Sequence, residues 1–119
     1  MKYLCLVYLD ETKLDALSRS ESATLADESI GYDDVLRQSN HLIVAHALRP
    51  TASARTVRVR GGRVLKTDGP FAETKEQLIG FLLINAADMD DAVAVAAKVP
   101  LARMGSIEVR PIRVSGDSS

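Results

Sequence analysis

The stretch Lys2-Tyr3-Leu4-Cys5-Leu6-Val7-Tyr8-Leu9 is bulky and uncharged at every position but the first. Its β-branched, aromatic and aliphatic side chains suit an extended chain. A strand with one wet face alternates apolar and polar residues, and this one does not, so it predicts a strand covered on both sides. Ile79-Gly-Phe-Leu-Leu-Ile84 is apolar on both parities in the same way. Working outward, the pattern turns helical from Ser20 to Gln38, with Leu25, Tyr32 and Leu36 on one stripe, Val35 beside it and Ile30 off it. Leu42 to Leu48 reads as a strand closed by Arg49-Pro50, because proline cannot continue a central ladder.

Arg55-Thr-Val-Arg-Val-Arg60, Gly61-Gly62 and Arg63-Val-Leu-Lys-Thr67 form two alternating runs around a Gly-Gly pair. That pattern predicts a hairpin whose two turn residues take positive φ. Thr67-Asp68-Gly69-Pro70 then breaks regular structure. Asp88 is placed to cap a second helix, with Asp90 and Asp91 in its first turn, Met89, Ala92, Ala96 and Val99 on its buried stripe, and Pro100 at its end. Ser106 to Val114 reads as a last strand, with Ile107 and Val109 on one face and Glu108 and Arg110 on the other. The order β-α-β-(hairpin)-β-α-β is the ferredoxin-like α+β arrangement, βαββαβ with an added hairpin. Two helices shelter one face of such a sheet. The second face is also apolar, which predicts an isologous homodimer packed through it.

The 119 residues suit one domain, expected over 1–114, with 115–119 as a flexible tail. Fifteen basic residues against sixteen acidic ones give a formal net charge of −1, which supplies no broad attraction to nucleic acid or anionic membrane. One cysteine makes no internal disulfide, and no apolar run is long enough for a signal peptide or a membrane span. A cytoplasmic protein is expected. Neither a nucleophile elbow, a phosphate-binding Gly-rich loop nor a dinucleotide fingerprint is present.

Asp68-Gly-Pro-Phe-Ala-Glu-Thr-Lys-Glu76, followed by Leu78-Ile-Gly-Phe81, resembles the signature of the YCII-related family, in the branch known for its DGPF domain. Met1-Lys-Tyr3, Thr56-Val-Arg-Val59, Pro100-Leu-Ala-Arg103 with Gly105, and Ile107-Glu-Val-Arg-Pro111 extend the resemblance over nearly the whole chain. It implies a dimeric α+β barrel of two ferredoxin-like units packed sheet to sheet. Members are largely uncharacterised, and some are encoded beside, or fused to, extracytoplasmic-function sigma factors. A different branch resembles a small enzyme with a His–Asp pair, the histidine on the first helix and the aspartate just before a proline after the second. Here Ser20 to Gln38 holds no histidine and Val99 precedes Pro100, so that dyad does not carry over.

Asp68 reads first as a turn residue bonding amides two residues on, and alternatively as a site carboxylate forming a charged rim with Glu73 and Lys75. Glu73, Lys75 and Glu76 otherwise make a solvated helical turn, and Phe71 an aromatic anchor in the core. His46 shares parity with Leu42, Val44 and Leu48 on an apolar face, where a histidine is a hydrogen-bonded core residue or, if the face lines a barrel, the group titrating nearest neutrality. His41 has the opposite parity, so the two histidines make no metal pair and no metal or organic cofactor is expected. Cys5 packs inertly, while Tyr3 and Arg110 could reach a ligand in the barrel. Arg58, Arg60 and Arg63 share one hairpin face with Leu65, a charged edge against strand addition or a contact for an anionic partner.

Two functions follow as expectations. One is a small-ligand-binding protein or cofactor-free enzyme, with His46 and Asp68 as catalytic candidates and Asp68, Phe71, Glu73, Lys75, Tyr3 and Arg110 around the ligand. The other is an accessory or regulatory protein linked to a sigma factor and acting through its surface.

Overall fold

The computed structural model describes residues 1–116, so part of the expected tail lies outside the described residues. Strands β1 (Lys2–Leu9), β2 (Leu42–Ala47), β5 (Gln77–Asn85) and β6 (Ser106–Pro111) form one antiparallel sheet in the order β2-β5-β1-β6. Helix α2 (Arg19–Gln38) leads into β2 after β1 and α3 (Met89–Ala97) connects β5 to β6, as the ferredoxin-like order requires, and β3 (Arg55–Arg60) with β4 (Arg63–Asp68) is the inserted hairpin. A short helix α1 (Glu11–Asp15), absent from the pattern reading, starts at Asp10, whose carboxylate accepts from the Thr12 amide at 3.0 Å. Five residues are too few to show helical periodicity, so only the cap marked it in the sequence.

Helix α2 begins with a reciprocal capping box, Ser18 accepting from the Glu21 amide and Glu21 accepting from the Ser18 amide. Asp88 caps α3 by accepting from the Asp91 amide at 2.8 Å. Their buried side chains meet alternate residues of the central strands: Tyr3, Cys5, Val7, Leu82 and Ile84 join Leu36, Ala92, Val95, Ala96 and Val99 in one core. Met89, expected on the buried stripe, is 38% exposed, and Val95 takes the inward position. Gly105 allows the chain to pass against β1, since a Cβ there would stand 2.0 Å from the Tyr8 carbonyl oxygen.

The other face of the sheet follows from the register. Leu4 pairs with Leu83 and Arg110, and Leu6 with Phe81 and Glu108, and residues directly opposite in a ladder share a side. Leu4, Leu6, Tyr8, Phe81, Leu83 and Val44 therefore stand away from the helices, each only half-buried. The hairpin does not cover them. It turns at Gly61 and Gly62, with φ of 56° and 75°, and all of β4 is exposed. Its base is tied by the Gly69 amide donating to Ala54 and by Thr56 Oγ1 donating to the Gly69 carbonyl.

The molecule is correspondingly flat, 48 × 46 × 19 Å, with a radius of gyration of 16.3 Å. A compact chain of this length would have about 13.5 Å. Its accessible surface of 8328 Å² exceeds by about 2,000 Å² what scaling gives for a compact 12.9 kDa monomer.

Candidate functional site

The small residues of α2 and of the sheet edge make the main concavity. Ser22, Ala26, Ser29 and Asp33 form a second stripe on α2, beside the core-facing Tyr32 and Leu36. Across from it, Ala45 pairs with Leu82, and Ala47 with Gly80. A Cβ at Gly80 would meet the His46 carbonyl oxygen at 2.9 Å, so glycine is what lets β2 lie against β5 there. Short side chains on both walls leave the helix standing off the sheet. The result is a partly open groove of about 720 Å³ under α1 and α2, closed above by Leu14, Leu17 and Leu25 and below by Ile79 and Leu82.

One end of the groove is built by hydrogen bonds. Glu11 Oε2 accepts from the Thr51 amide at 2.9 Å and Oε1 from Thr51 Oγ1 at 2.5 Å, tying α1 to the turn after β2. The Glu11 amide donates to Gln77 Oε1 at 2.9 Å, which fixes α1 to β5 as well. On the far wall, Tyr32 donates to the Val95 carbonyl at 2.6 Å, and burial pushes its phenol above the ordinary value. Asp33 is half-buried, and burial raises its carboxyl above the ordinary range. Arg37, one turn on, hydrogen-bonds Asp34 at 2.8 Å and acts on Asp33 only at a distance. Glu11, Asp15 and Asp33 are the carboxylates of the lining, and the lining holds no lysine or arginine.

The structure distributes the residues singled out from the sequence. His46 borders the groove, but it pairs with Phe81, and the two rings stack obliquely with centroids 5.8 Å apart on the open sheet face. What His46 turns to the groove is main chain. Its expected parity with Leu42 is broken by an irregularity in β2: Leu42 pairs with Ile84 and packs into the core, whereas Val44 pairs with Leu83 on the other side. Asp68 ends β4 opposite Arg55 and forms an ion pair with its Nε at 3.0 Å. The Gly69 amide meanwhile donates to Ala54, so the turn is held by main chain rather than by the Asp68 carboxylate.

Phe71, expected in the core, is 79% exposed in the protomer. The segment around it is not helical, because Thr74 Oγ1 and Gln77 Nε2 bond carbonyls within a non-repeating loop. Glu73 and Lys75 are exposed there; Asp10's carboxyl is lowered first by its bonds with Thr12, with Lys75 a weak favourable charge at a distance. Glu76 accepts from Ser106 Oγ at 2.7 Å. Tyr3 is 2% exposed in the core, its hydroxyl donating to Met1 Sδ. Arg110 lies on the open face 3.7 Å from Glu108. Asp68, Phe71, Glu73, Lys75, Tyr3 and Arg110 do not line the groove. Burial pushes the Cys5 thiol up to about 11, which makes it inert.

A hydrogen-bonded row went unread in the sequence. Ser39 Oγ lies 2.7 Å from His41 Nδ1, and His41 Nε2 lies 3.1 Å from Asp91 Oδ2. Asp91 also accepts from the Ala87 amide, and that bond, followed by the one with His41, holds its carboxyl below the ordinary range. The row resembles a nucleophile–base–acid chain, but it lies outside the groove and joins three element ends: the close of α2, the start of β2 and the start of α3. It is a clamp. Asp91 three residues after the Asp88 cap was its one sequence signal.

A ferredoxin-like α+β unit with one bare sheet face and a ligand-sized groove beneath its helices defines the class. The chain belongs to the YCII-related family, whose domain model matches residues 1–115. It is also 38% identical over 114 residues to the uncharacterized protein R00369 of Rhizobium meliloti (strain 1021), covering 94% of this chain and 92% of that protein. Among the described residues, no helix is long and apolar enough to cross a membrane.

Proposed function

We propose that the chain works as a homodimer, two bare sheet faces packed into an α+β barrel, and that each subunit binds a small molecule in the groove between α1, α2 and the β2–β5 edge. The groove carries this reading. Its volume of about 720 Å³ lies in the usual range for organic ligands, it is mainly apolar with a few polar groups, and small side chains on both walls hold it open. It opens on the helix side of the sheet, so a mate on the opposite side leaves it accessible. The test is a ligand-detected NMR screen of a small-molecule library against wild type and Ser29→Phe, which fills the groove while keeping α2 helical. Ligands that bind wild type and lose binding to Ser29→Phe support the reading. A library without hits, or hits that bind both proteins equally, defeats it.

A second reading is favoured by the hairpin, which presents Arg58, Arg60 and Arg63 on one face and exposed Val57, Val59 and Val64 on the other. In that reading the chain is an accessory protein that contacts an extracytoplasmic-function sigma factor through this arm. Arg58→Glu with Arg60→Glu would then abolish co-purification of the sigma factor, and Ser29→Phe would leave it intact.

A further inference from the structure

The groove has a charge pattern beyond its shape. Glu11 is consumed by Thr51, as described, and serves as a wall. Asp33 is different: among the described residues its carboxylate accepts no hydrogen bond and joins no ion pair, although it is half-buried. An arginine one turn away pairs with Asp34 instead. A half-buried carboxylate without a partner costs stability, and a protein with no use for it does better with Asn or Ser. Asp33 stands at one end of the α2 stripe that faces the groove, and Leu14, Leu17 and Leu25 crowd the other end. From Leu25 to Asp33 the helix rises about 12 Å. An apolar trough whose lining charges are all negative (Glu11 tied to Thr51, Asp15 exposed on α1, Asp33 half-buried without a hydrogen bond), with no cationic side chain along it, is complementary to one kind of small molecule.

Building on the groove reading above, we infer that the ligand is an amphipathic amine, its apolar body along the leucine end and its protonated nitrogen against the Asp33 carboxylate. The ammonium donates to Asp33 and replaces the missing ion-pair partner. An anionic ligand is repelled by the same group, and a neutral one of equal shape gains only the apolar burial.

Isothermal titration with three probes of equal chain length, octylammonium, 1-octanol and octanoate, tests this on the full chain. Wild type is expected to bind octylammonium about tenfold more tightly than 1-octanol, the worth of one charge-assisted hydrogen bond, and octanoate most weakly. Asp33→Asn, nearly the same shape, is expected to erase the preference for the ammonium while leaving 1-octanol unchanged. Asp27→Asn, exposed on α2 and outside the groove lining, is expected to keep it. Equal binding of octylammonium and 1-octanol by wild type overturns the inference while the groove reading stands. So does an ammonium preference that survives Asp33→Asn, or one that Asp27→Asn removes instead. If wild type binds none of the three, the inference and the groove reading fall together.

Discussion

Replacing Leu6 by Asp should split the proposed dimer into monomers. Leu6 lies mid-strand on the bare face, between Phe81 on β5 and Glu108 on β6. In an isologous interface a substitution acts at two places at once. Leu6 is half-buried already, so pairing the faces hides only about a third of it, worth about 0.5–1 kcal/mol; losing two weakens association by about 1–2 kcal/mol, and enclosing two carboxylates adds several kcal/mol more. Together that is a rise of at least about 10³ in the dimer dissociation constant. Part of the surface excess of about 2,000 Å² per protomer is the exposed hairpin, and the remainder lies within the range that homodimer interfaces bury. Light scattering coupled to gel filtration at micromolar concentration reads the result directly. Wild type should run at twice 12.9 kDa, Leu6→Asp at the monomer mass, and Leu6→Ala between them in a concentration-dependent way. Far-ultraviolet circular dichroism confirms that Leu6→Asp keeps its secondary structure. A wild type at the monomer mass, or Leu6→Asp still at twice that mass, refutes the reasoning.

Gly105→Ala should destabilise by at least about 3 kcal/mol, because the new Cβ would meet the Tyr8 carbonyl at 2.0 Å and main chain has to move; a melting temperature within 2–3 °C of wild type, against the roughly 10 °C expected, contradicts this. Tyr32→Phe removes the 2.6 Å bond to Val95 and should cost about 1 kcal/mol, about 4 °C in the melting temperature, with no change in the groove's shape. Asp10, Glu21 and Asp91 titrate below their ordinary values through bonds with Thr12, Ser18 and Ala87 at helix starts. Their stabilisation is complete above the unfolded values of 3.8 and 4.5, and it is lost as pH falls through the lower folded values. Asp33 has the opposite sign: its folded value is raised above 3.8, so its ionisation costs stability once pH rises past that point. Asp33→Asn should therefore melt higher than wild type at pH 7 and lose that advantage below pH 3.8, and thermal melts across pH that show no gain at neutrality would reject the assignment.

Much of the architecture was legible in the chain because it rests on local chemistry. Gly61-Gly62 between alternating runs marked the hairpin, and Asp88 before an alanine-rich stretch marked α3. Lys2 to Leu9 and Ile79 to Ile84, apolar on both parities, marked central strands with a second apolar face. Each is a matter of dihedral preference or side-chain periodicity, which neighbours in sequence decide. The family signature was legible too, but not what its side chains touch. Asp68 is engaged by Arg55 thirteen positions earlier, and Phe71 points into solvent, neither of which turn chemistry alone could show.

The groove was the part that only the tertiary structure decided. It exists because Ser22, Ala26 and Ser29 on one helix happen to face Ala45, Ala47 and Gly80 on two strands far away in the chain. A small residue on its own is silent in a sequence; two facing rows of them make a space. Similarly, the irregularity in β2 that sends Leu42 to one face and His46 to the other is a property of pairing with β5, and a one-residue slip in a ladder reverses every side chain beyond it. Periodicity settles which elements form and which sides are apolar. Register and packing distance settle what those sides enclose, because both depend on contacts between residues that the chain itself keeps far apart.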